Sequence, residues 1–450
     1  MATDIQGVQA LSADDASTTS LRSWWMVVYL TLLFVLSFID RNVIRILIDP
    51  IRADLGIDDV QISLLVGLAF ATLYSVSCIP FGYAADRTNR RGLLGGAVAV
   101  WSAMSMVCGL AGSYATLFVG RMGLGIGEAA LQPAAMSMIR DAFPPERRAR
   151  PLSIYTTGPL IGSALALVVG GALYGFARDG YVAGVPLIGA LKPWQFALIV
   201  PGVIGLLVAL LAVTVHEPTR REAPQAHNSG FAATLAHWRA HWYLYALVVG
   251  MSTMWSLGNT GWNAWMAAAI GRTRGLSPAD IGPTAGMIAL ICASTGSIGL
   301  GFYLDGRAVR GDRAALLKVS ALVQLFHAIP AVAMFYVPTQ AGMWLCFALA
   351  NLLIGSMPIA AFALLTEITP GRLTGKSVAL YNLIQNFLGF AIGPTFFALV
   401  AETFFHGPGA ITAAIAWCYP ATLALSSLMA MLLIRPIAKA RAERAFNVNL

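Results

Sequence analysis

Apolar stretches of roughly 20 residues recur along this chain, each long enough to cross a hydrocarbon core of about 30 Å. Backbone N–H and C=O groups placed in hydrocarbon have no water to bond, so a run of this length must close its hydrogen bonds internally as an α-helix. The sequence predicts helices over 24–48, 61–85, 93–112, 114–139, 150–177, 193–215, 240–270, 281–304, 314–337, 340–365, 375–403 and 409–434. The expected fold class is therefore an all-α membrane protein of twelve transmembrane helices. Only 11% of the residues are charged, against about a quarter in soluble domains.

Twelve crossings put both termini on one side, and the basic residues test that count. Of the 29 Lys and Arg residues, 21 fall on the side of the termini, five (Arg52, Arg178, Lys192, Arg272, Arg274) on the other, and three (Arg41, Arg45, Arg121) inside spans. By the positive-inside rule both termini are expected in the cytoplasm, and the short loops lean toward a bacterial inner membrane. The net charge of +8 then reflects topology and faces anionic lipid, with no nucleic acid implied. Residues 1–23, with Asp4, Asp14 and Asp15, read as a cytoplasmic tail without a cleavable signal. The five cysteines all fall within spans, without metal-ligand spacing, and read as buried apolar residues.

The chain also repeats itself. "GYAADRTNRRGLL" (82–94) is echoed by "GFYLDGRAVRGDRAALL" (301–317), with Asp86 and Asp305 separated by 219 positions. "DAFPPERRARPLSIY" (141–155) is echoed by "EITPGRLTGKSVALY" (367–381) at an offset of 226. The expected organisation is a tail (1–23), a six-helix bundle (24–215), a cytoplasmic linker (216–239), a second six-helix bundle (240–434) and a C-terminal tail (435–450). Internal repeats of this kind mark secondary transporters, whose two bundles rock about a site near the bilayer midplane. The loop Gly82-Tyr-Ala-Ala-Asp86-Arg87-Thr-Asn-Arg90-Arg91 resembles the signature of the major facilitator superfamily, Gly-x-x-x-Asp-Arg-x-Gly-Arg-Arg, with Asn89 where that family usually has Gly. The resemblance implies a conformational gate of Gly82, Asp86, Arg87, Arg90, Arg91 and, from the second copy, Asp305: a charge clasp across the bundle interface in one state, released in the other.

Ionisable groups within spans are costly, at least ~2.5 kcal/mol at the bilayer centre on insertion scales, and normally face a cavity or a partner. Here they are Asp40, Arg41 and Arg45 in the first span and Arg121 and Glu128 in the fourth. At a rise of ~1.5 Å per residue, Asp40 and Arg41 lie about 25 Å along the first span and Arg121 about 12 Å down the fourth, within a turn of one depth. Arg121 and Glu128, seven apart, share a face, so an Asp–Arg pair and an Arg–Glu pair form a ladder that can pass one proton, with Glu128 as the main carrier. A second reading stays open, in which Asp40, Arg41 and Arg45 lie at the outer interface and snorkel while one of them permanently neutralises Glu128. "SFIDRNVI" (37–44) and "RMGLGIGEAALQPAA" (121–135) resemble the Spinster family. That resemblance implies proton-coupled movement of lysophospholipids or sphingosine-1-phosphate, with Asp40, Arg41, Arg121 and Glu128 as the functional positions.

The second half offers an uncharged surface. Trp255, Asn259, Trp262 and Asn263 recur at helical spacing, and Tyr381 and Gln385 belong to a polar patch in the eleventh span. With Arg41 and Arg121 they form the expected substrate-binding set for an amphiphile whose head meets an arginine and whose tail lies against the second bundle. Interface anchoring and helix-to-helix packing remain open as readings of the Trp and Asn residues. "GPLIG" (158–162) resembles the Gly-Pro motif of the superfamily's antiporters and favours exchange. His237 and His241 lie beside aromatics without a third ligand, so no metal is expected. No Gly-Lys-Ser/Thr phosphate loop or nucleophile elbow occurs, so neither ATP nor any other cofactor nor an enzyme activity is expected. The expected function is a secondary active transporter, acting as a monomer with membrane lipids, protons and a small amphiphile as partners; the alternative is a drug or metabolite efflux proton antiporter on the same fold.

Overall fold

The computed structural model describes residues 21–186, 188–220, 231–309, 314–354 and 357–448. The described residues form helices and connecting turns, with no strand among them. In the first half the spans are Leu21–Asn42 with a 3-10 turn Val43–Arg45 and a short helix Ile48–Leu55; Asp59–Val66 with Leu68–Arg87; Arg90–Gly109; Tyr114–Glu128 with Leu131–Ala142; Ala149–Thr156 with Gly158–Arg178; and Pro193–Leu210. Helix Phe231–Ala240 precedes the second half, which comprises Trp242–Arg274; Pro278–Val309; Ala315–Ala333; Gln340–Leu352 with Met357–Ile368; Gly371–Ile384, a π-helix Gln385–Ala391 and Ile392–Phe404; and Ala410–Val448. Ten of these helical stretches are long and apolar enough to cross a membrane. The fourth and seventh do not reach that hydropathy, because they hold the polar residues singled out above. The last helix continues to Val448, beyond position 434 where the apolar pattern ends.

Three apolar cores show how the halves are assembled. One draws on the first half alone, from Met26 to Val215, and another on the second half alone, from Tyr245 to Ile437; both lie toward the side of the termini. The third, on the distal side, is shared: Val43, Ile44, Leu47 and Ile62 of the first half pack with Trp265, Ala268 and Ile281 of the second. One continuous core on the distal side and two separate cores on the terminal side describe a transporter-like pair of bundles closed distally and splayed toward the termini.

On the terminal side, the loop expected to clasp the second half is bound within the first. Arg90 is fully buried, paired with Asp141 at the end of the fourth span, and donates to Ser137 Oγ (2.9 Å) and the Pro218 carbonyl (2.7 Å). Glu217 accepts from the Arg90 backbone (2.9 Å) and Nε (3.2 Å), so the start of the linker is fastened to this loop. Arg220 donates to the carbonyls of Ala85 (3.0 Å), Asp86 and Thr88 (2.6 Å), which lie at a helix end and lack partners of their own. The Asp86 and Arg91 side chains are exposed, and Arg87 stacks over Tyr83 at 3.5 Å. Gly82 has open space around its α-carbon. In this state Arg90, expected to belong to a clasp that forms in one state and releases in the other, serves as the hub of its own bundle. The side chain of Asp305 lies outside the described residues.

The distal closure is specific. The fifth and eighth spans cross at glycines; a Cβ on Gly171 would stand 2.5 Å from the Pro278 carbonyl oxygen, so any larger residue would push the halves apart. Ser63 Oγ donates to Thr395 Oγ1 at 3.1 Å between the second and eleventh spans. At the rim, Arg272 reaches from the seventh span to two carboxylates of the first half: Nε and Nη2 donate to Asp49 (2.9 and 2.7 Å), and Nη1 and Nη2 to Asp59 (2.6 and 2.8 Å). Such charge-assisted forks are geometrically demanding and roughly twice as strong as neutral bonds. Removing them in Arg272→Gln should weaken the closed distal side by about 1–3 kcal/mol. Spin labels on the exposed Ala53 and His406, on opposite halves of this face, should show a longer distance distribution in that variant; an unchanged distribution would refute the lock.

Candidate functional site

The site lies among four helices that each break within the bundle. The first span leaves α-geometry after Asn42, passes through the 3-10 turn and resumes at Ile48. The second breaks at Gly67, and the fourth at Ala129 and Ala130. Pro133 accounts for the last break, since it has no N–H to give the Ala129 carbonyl. The eleventh widens into its π-helix. Each break releases backbone carbonyls that a bilayer interior does not solvate.

Arg121 collects three of them. Its Nε donates to the Leu65 carbonyl (3.1 Å), Nη1 to that of Asp40 (3.4 Å) and Nη2 to that of Arg41 (3.2 Å). The side chain is almost wholly buried. This corrects the expected ladder: three of the five N–H donors of Arg121 go to backbone carbonyls, and it joins the first, second and fourth spans rather than pairing along its helix with Glu128.

Glu128 pairs with Arg41 instead. Arg41 Nη2 and Nε donate to Glu128 Oε2 at 2.6 and 3.2 Å, and both side chains are buried. The guanidinium is boxed by aromatic rings, with Phe70, Phe38 and Tyr74 at 4.2, 4.6 and 5.0 Å from its carbon and Phe390 of the second half at 6.0 Å. Cation–π contacts of this kind offset part of the cost of burying the charge. The other carboxylate oxygen, Oε1, is buried without a hydrogen-bond partner. Helix geometry turns Asp40 about 100° away from Arg41, toward the third span, where Oδ1 accepts from Ser105 Oγ at 2.8 Å and Oδ2 is buried without a partner. Two membrane carboxylates, each with one bonded and one unbonded oxygen, can each take up a proton without losing an existing acceptor bond. The approach that permits this is tight: a Cβ on Gly125 would lie 2.5 Å from the Phe70 carbonyl oxygen.

Arg45 is turned toward the second half. The residue is half-buried, between the buried Val43 and Ile44 and the buried Ile46, Leu47 and Ile48, and its guanidinium carbon lies 5.7 Å from the Phe390 ring.

In the second half, Trp255, Asn259 and Asn263 are half-buried and four residues apart, so they share one face. The Asn263 amide donates to the Asn259 carbonyl at 2.8 Å. Trp262 is a correction: it is fully buried, stacked between Phe347 and Tyr419, with Nε1 donating to the Ala331 carbonyl at 3.1 Å, and it has no free surface for a ligand. Tyr381 and Gln385 bond to the seventh span, through Ser252 (2.6 Å) and Thr253 (3.1 Å), and hold the eleventh span against it. Phe70, Tyr74, Phe390 and Ser105 were not singled out from the sequence. The i, i+4 aromatic pair Phe70 and Tyr74 was a visible signal; Phe390 gave none, because the π-helix sets its direction. The described residues hold no cluster of potential metal ligands.

Comparison with known proteins follows the same lines. The family model of the Major Facilitator Superfamily matches residues 30–394. The chain is 28% identical over 292 residues to an MFS-type efflux pump of Mycolicibacterium smegmatis, covering 64% of this chain and 62% of that protein. It is 30% identical over 220 residues to protein spinster homolog 1 of Homo sapiens, covering 48% of this chain and 38% of that protein. These curated relatives are thus matched over less than two thirds of their length. Among solved structures, a bacterial homolog of the human lysosomal transporter Spinster, inward-facing and unoccupied, superposes with a TM-score of 0.75 at 25% identity, covering 92% of this chain and 95% of that one. The twelve-helix, two-bundle fold, the Spinster-like motifs and a match over most of the chain agree: this is a transporter and not an enzyme, and the chain belongs to the Major Facilitator Superfamily.

Proposed function

We propose that this protein is a proton-coupled transporter of an amphiphilic, lipid-like substrate of the lysophospholipid or sphingosine-1-phosphate kind, working by alternating access. The observation that carries the reading is the buried Arg41–Glu128 pair, with its unbonded Oε1, where the first and fourth spans break. Protonation of Glu128 removes the charge that holds Arg41, and deprotonation restores it, so one proton changes the partner of a cation that touches both halves through Phe390. Asp40 is the second carrier, reached through the other face of the first span. Substrate meets the half-buried face of Trp255, Asn259 and Asn263, and the lipid-like class is the one that the resemblance of the first and fourth spans to the Spinster family implies.

The two working units are taken as 24–215 and 240–434, acting as a monomer in a bacterial inner membrane with both termini in the cytoplasm. On that orientation the described state faces inward. The efflux pump among the relatives favours a second reading, export of hydrophobic compounds in exchange for protons, on the same site.

Two measurements test this. Proteoliposomes given labelled lysophospholipid should show flux that follows an imposed pH gradient, and Glu128→Gln should abolish the dependence on the gradient. Failure of the wild type to move any lysolipid would displace the lipid reading in favour of efflux, and full coupling in the variant would make Glu128 structural. The two tryptophans should separate cleanly. Trp262→Ala removes a core ring and should cost about 3–5 kcal/mol of stability, whereas Trp255→Ala should leave the melting temperature near wild type and reduce transport several-fold.

A further inference from the structure

The five ionisable side chains of the site are unequally matched. Arg121 donates to three carbonyls, Arg41 is paired with Glu128, and Asp40 takes a hydroxyl donor from Ser105. Arg45 is left over. Its Nε is buried without a hydrogen-bond partner, and no carboxylate among the described residues forms an ion pair with it. Its nearest ring is Phe390, across the interface between the halves. Three arginines stand against two carboxylates, so even with both carboxylates ionised the site carries an excess positive charge in a low-dielectric setting. Buried charge of this kind is normally paired.

We propose that Arg45 is the docking point for an oxyanion, the head group of the transported amphiphile, and that this anion and the proton on Glu128 bind cooperatively. The idea rests on the transport reading above for its proton arm. Arg supplies a planar fork of donors suited to an oxyanion, and the apolar residues around it, Phe390 and the shared distal core, suit a chain attached to that head. The groups that bear on the site's charge are Asp40, Arg41 and Arg45 of the first span, Tyr74 and Cys78 of the second, Cys108 of the third, and Arg121 and Glu128 of the fourth. Phe390, from the eleventh span, adds no charge. Protonating Glu128 removes one of the two negative charges and frees Arg41, so the anion should bind more tightly as pH falls. Linkage requires the converse, that bound anion holds the proton.

The test is binding to the full-length protein in nanodiscs of zwitterionic lipid. The probes are decanesulfonate, whose charge does not change between pH 6 and 8, inorganic sulfate, and decyltrimethylammonium. Wild type should bind decanesulfonate at least about tenfold more tightly than decyltrimethylammonium, and several-fold more tightly at pH 6 than at pH 8. Arg45→Gln should lose about tenfold for the sulfonate alone, Arg45→Lys should recover part of it, and Glu128→Gln should bind tightly at both pH values. Sulfate binding as tightly as decanesulfonate would keep the oxyanion site but overturn the amphiphile as its source. Equal affinity for the two amphiphiles, or an Arg45→Gln variant that folds and binds the sulfonate like wild type, overturns the site. If Arg45→Gln does not fold, the charge selectivity of the wild type decides alone. Proton-driven lysolipid flux without charge-selective binding would sink the Arg45 site and leave the transport reading standing; selective binding without flux would do the reverse.

Discussion

A polar backbone in hydrocarbon must satisfy itself, and the structure turns on how that demand is met where helices stop. Three carbonyls freed by breaks in two spans converge on one guanidinium, that of Arg121. Without it, the 3-10 turn after Asn42 and the break at Gly67 would each expose unsatisfied groups, at several kcal/mol apiece. With it, the chain can afford non-helical geometry at the level where Asp40, Arg41, Arg45 and Glu128 are presented. One of the two arginines expected to meet substrate is therefore the one that lets the other charged groups exist there.

The aromatic box and the glycines do related work at the level of packing. Glycines on the fourth span let it approach the second and third, which brings Glu128 within bonding distance of Arg41, while Phe70, Tyr74 and Phe38 enclose that cation. The pair is thus enclosed by these rings, and the Phe390 ring links it to the second half. A change of charge on Glu128 is consequently felt first by Arg41 and next by the eleventh span.

Much of this was legible in the sequence. Span number, the two-half organisation and the family followed from apolar periodicity and the repeated loops around Asp86 and Asp305. Glu128 and Asp40 stood out because charges are rare in membrane helices. What was not legible is pairing. Arg121 and Glu128 share a helical face in sequence, yet which guanidinium meets which carboxylate depends on backbone breaks that periodicity does not encode. Trp262 followed the same spacing as Asn259 and Asn263, and only the neighbouring Phe347 and Tyr419 turned it into core. The loop around Arg90 read as a clasp that closes in one state and releases in the other; in the state described, splayed on the side of the termini, its buried arginine is held by Asp141 and Glu217.

The π-helix in the eleventh span has a reach beyond its seven residues. A π-helix closes each hydrogen bond one residue later than an α-helix, so the chain turns less per residue across Gln385–Ala391 and the segments on either side are rotated relative to each other. Before it, Tyr381 meets Ser252 within its own half; after it, Thr395 meets Ser63 of the other. That one helix can serve both halves is a matter of angular phase. A local return to α-geometry would rotate the later segment, which meets Trp265 of the seventh span through the Pro394 carbonyl as well as Ser63 through Thr395, out of phase with Tyr381, and the contacts on the two sides could not all keep the present register.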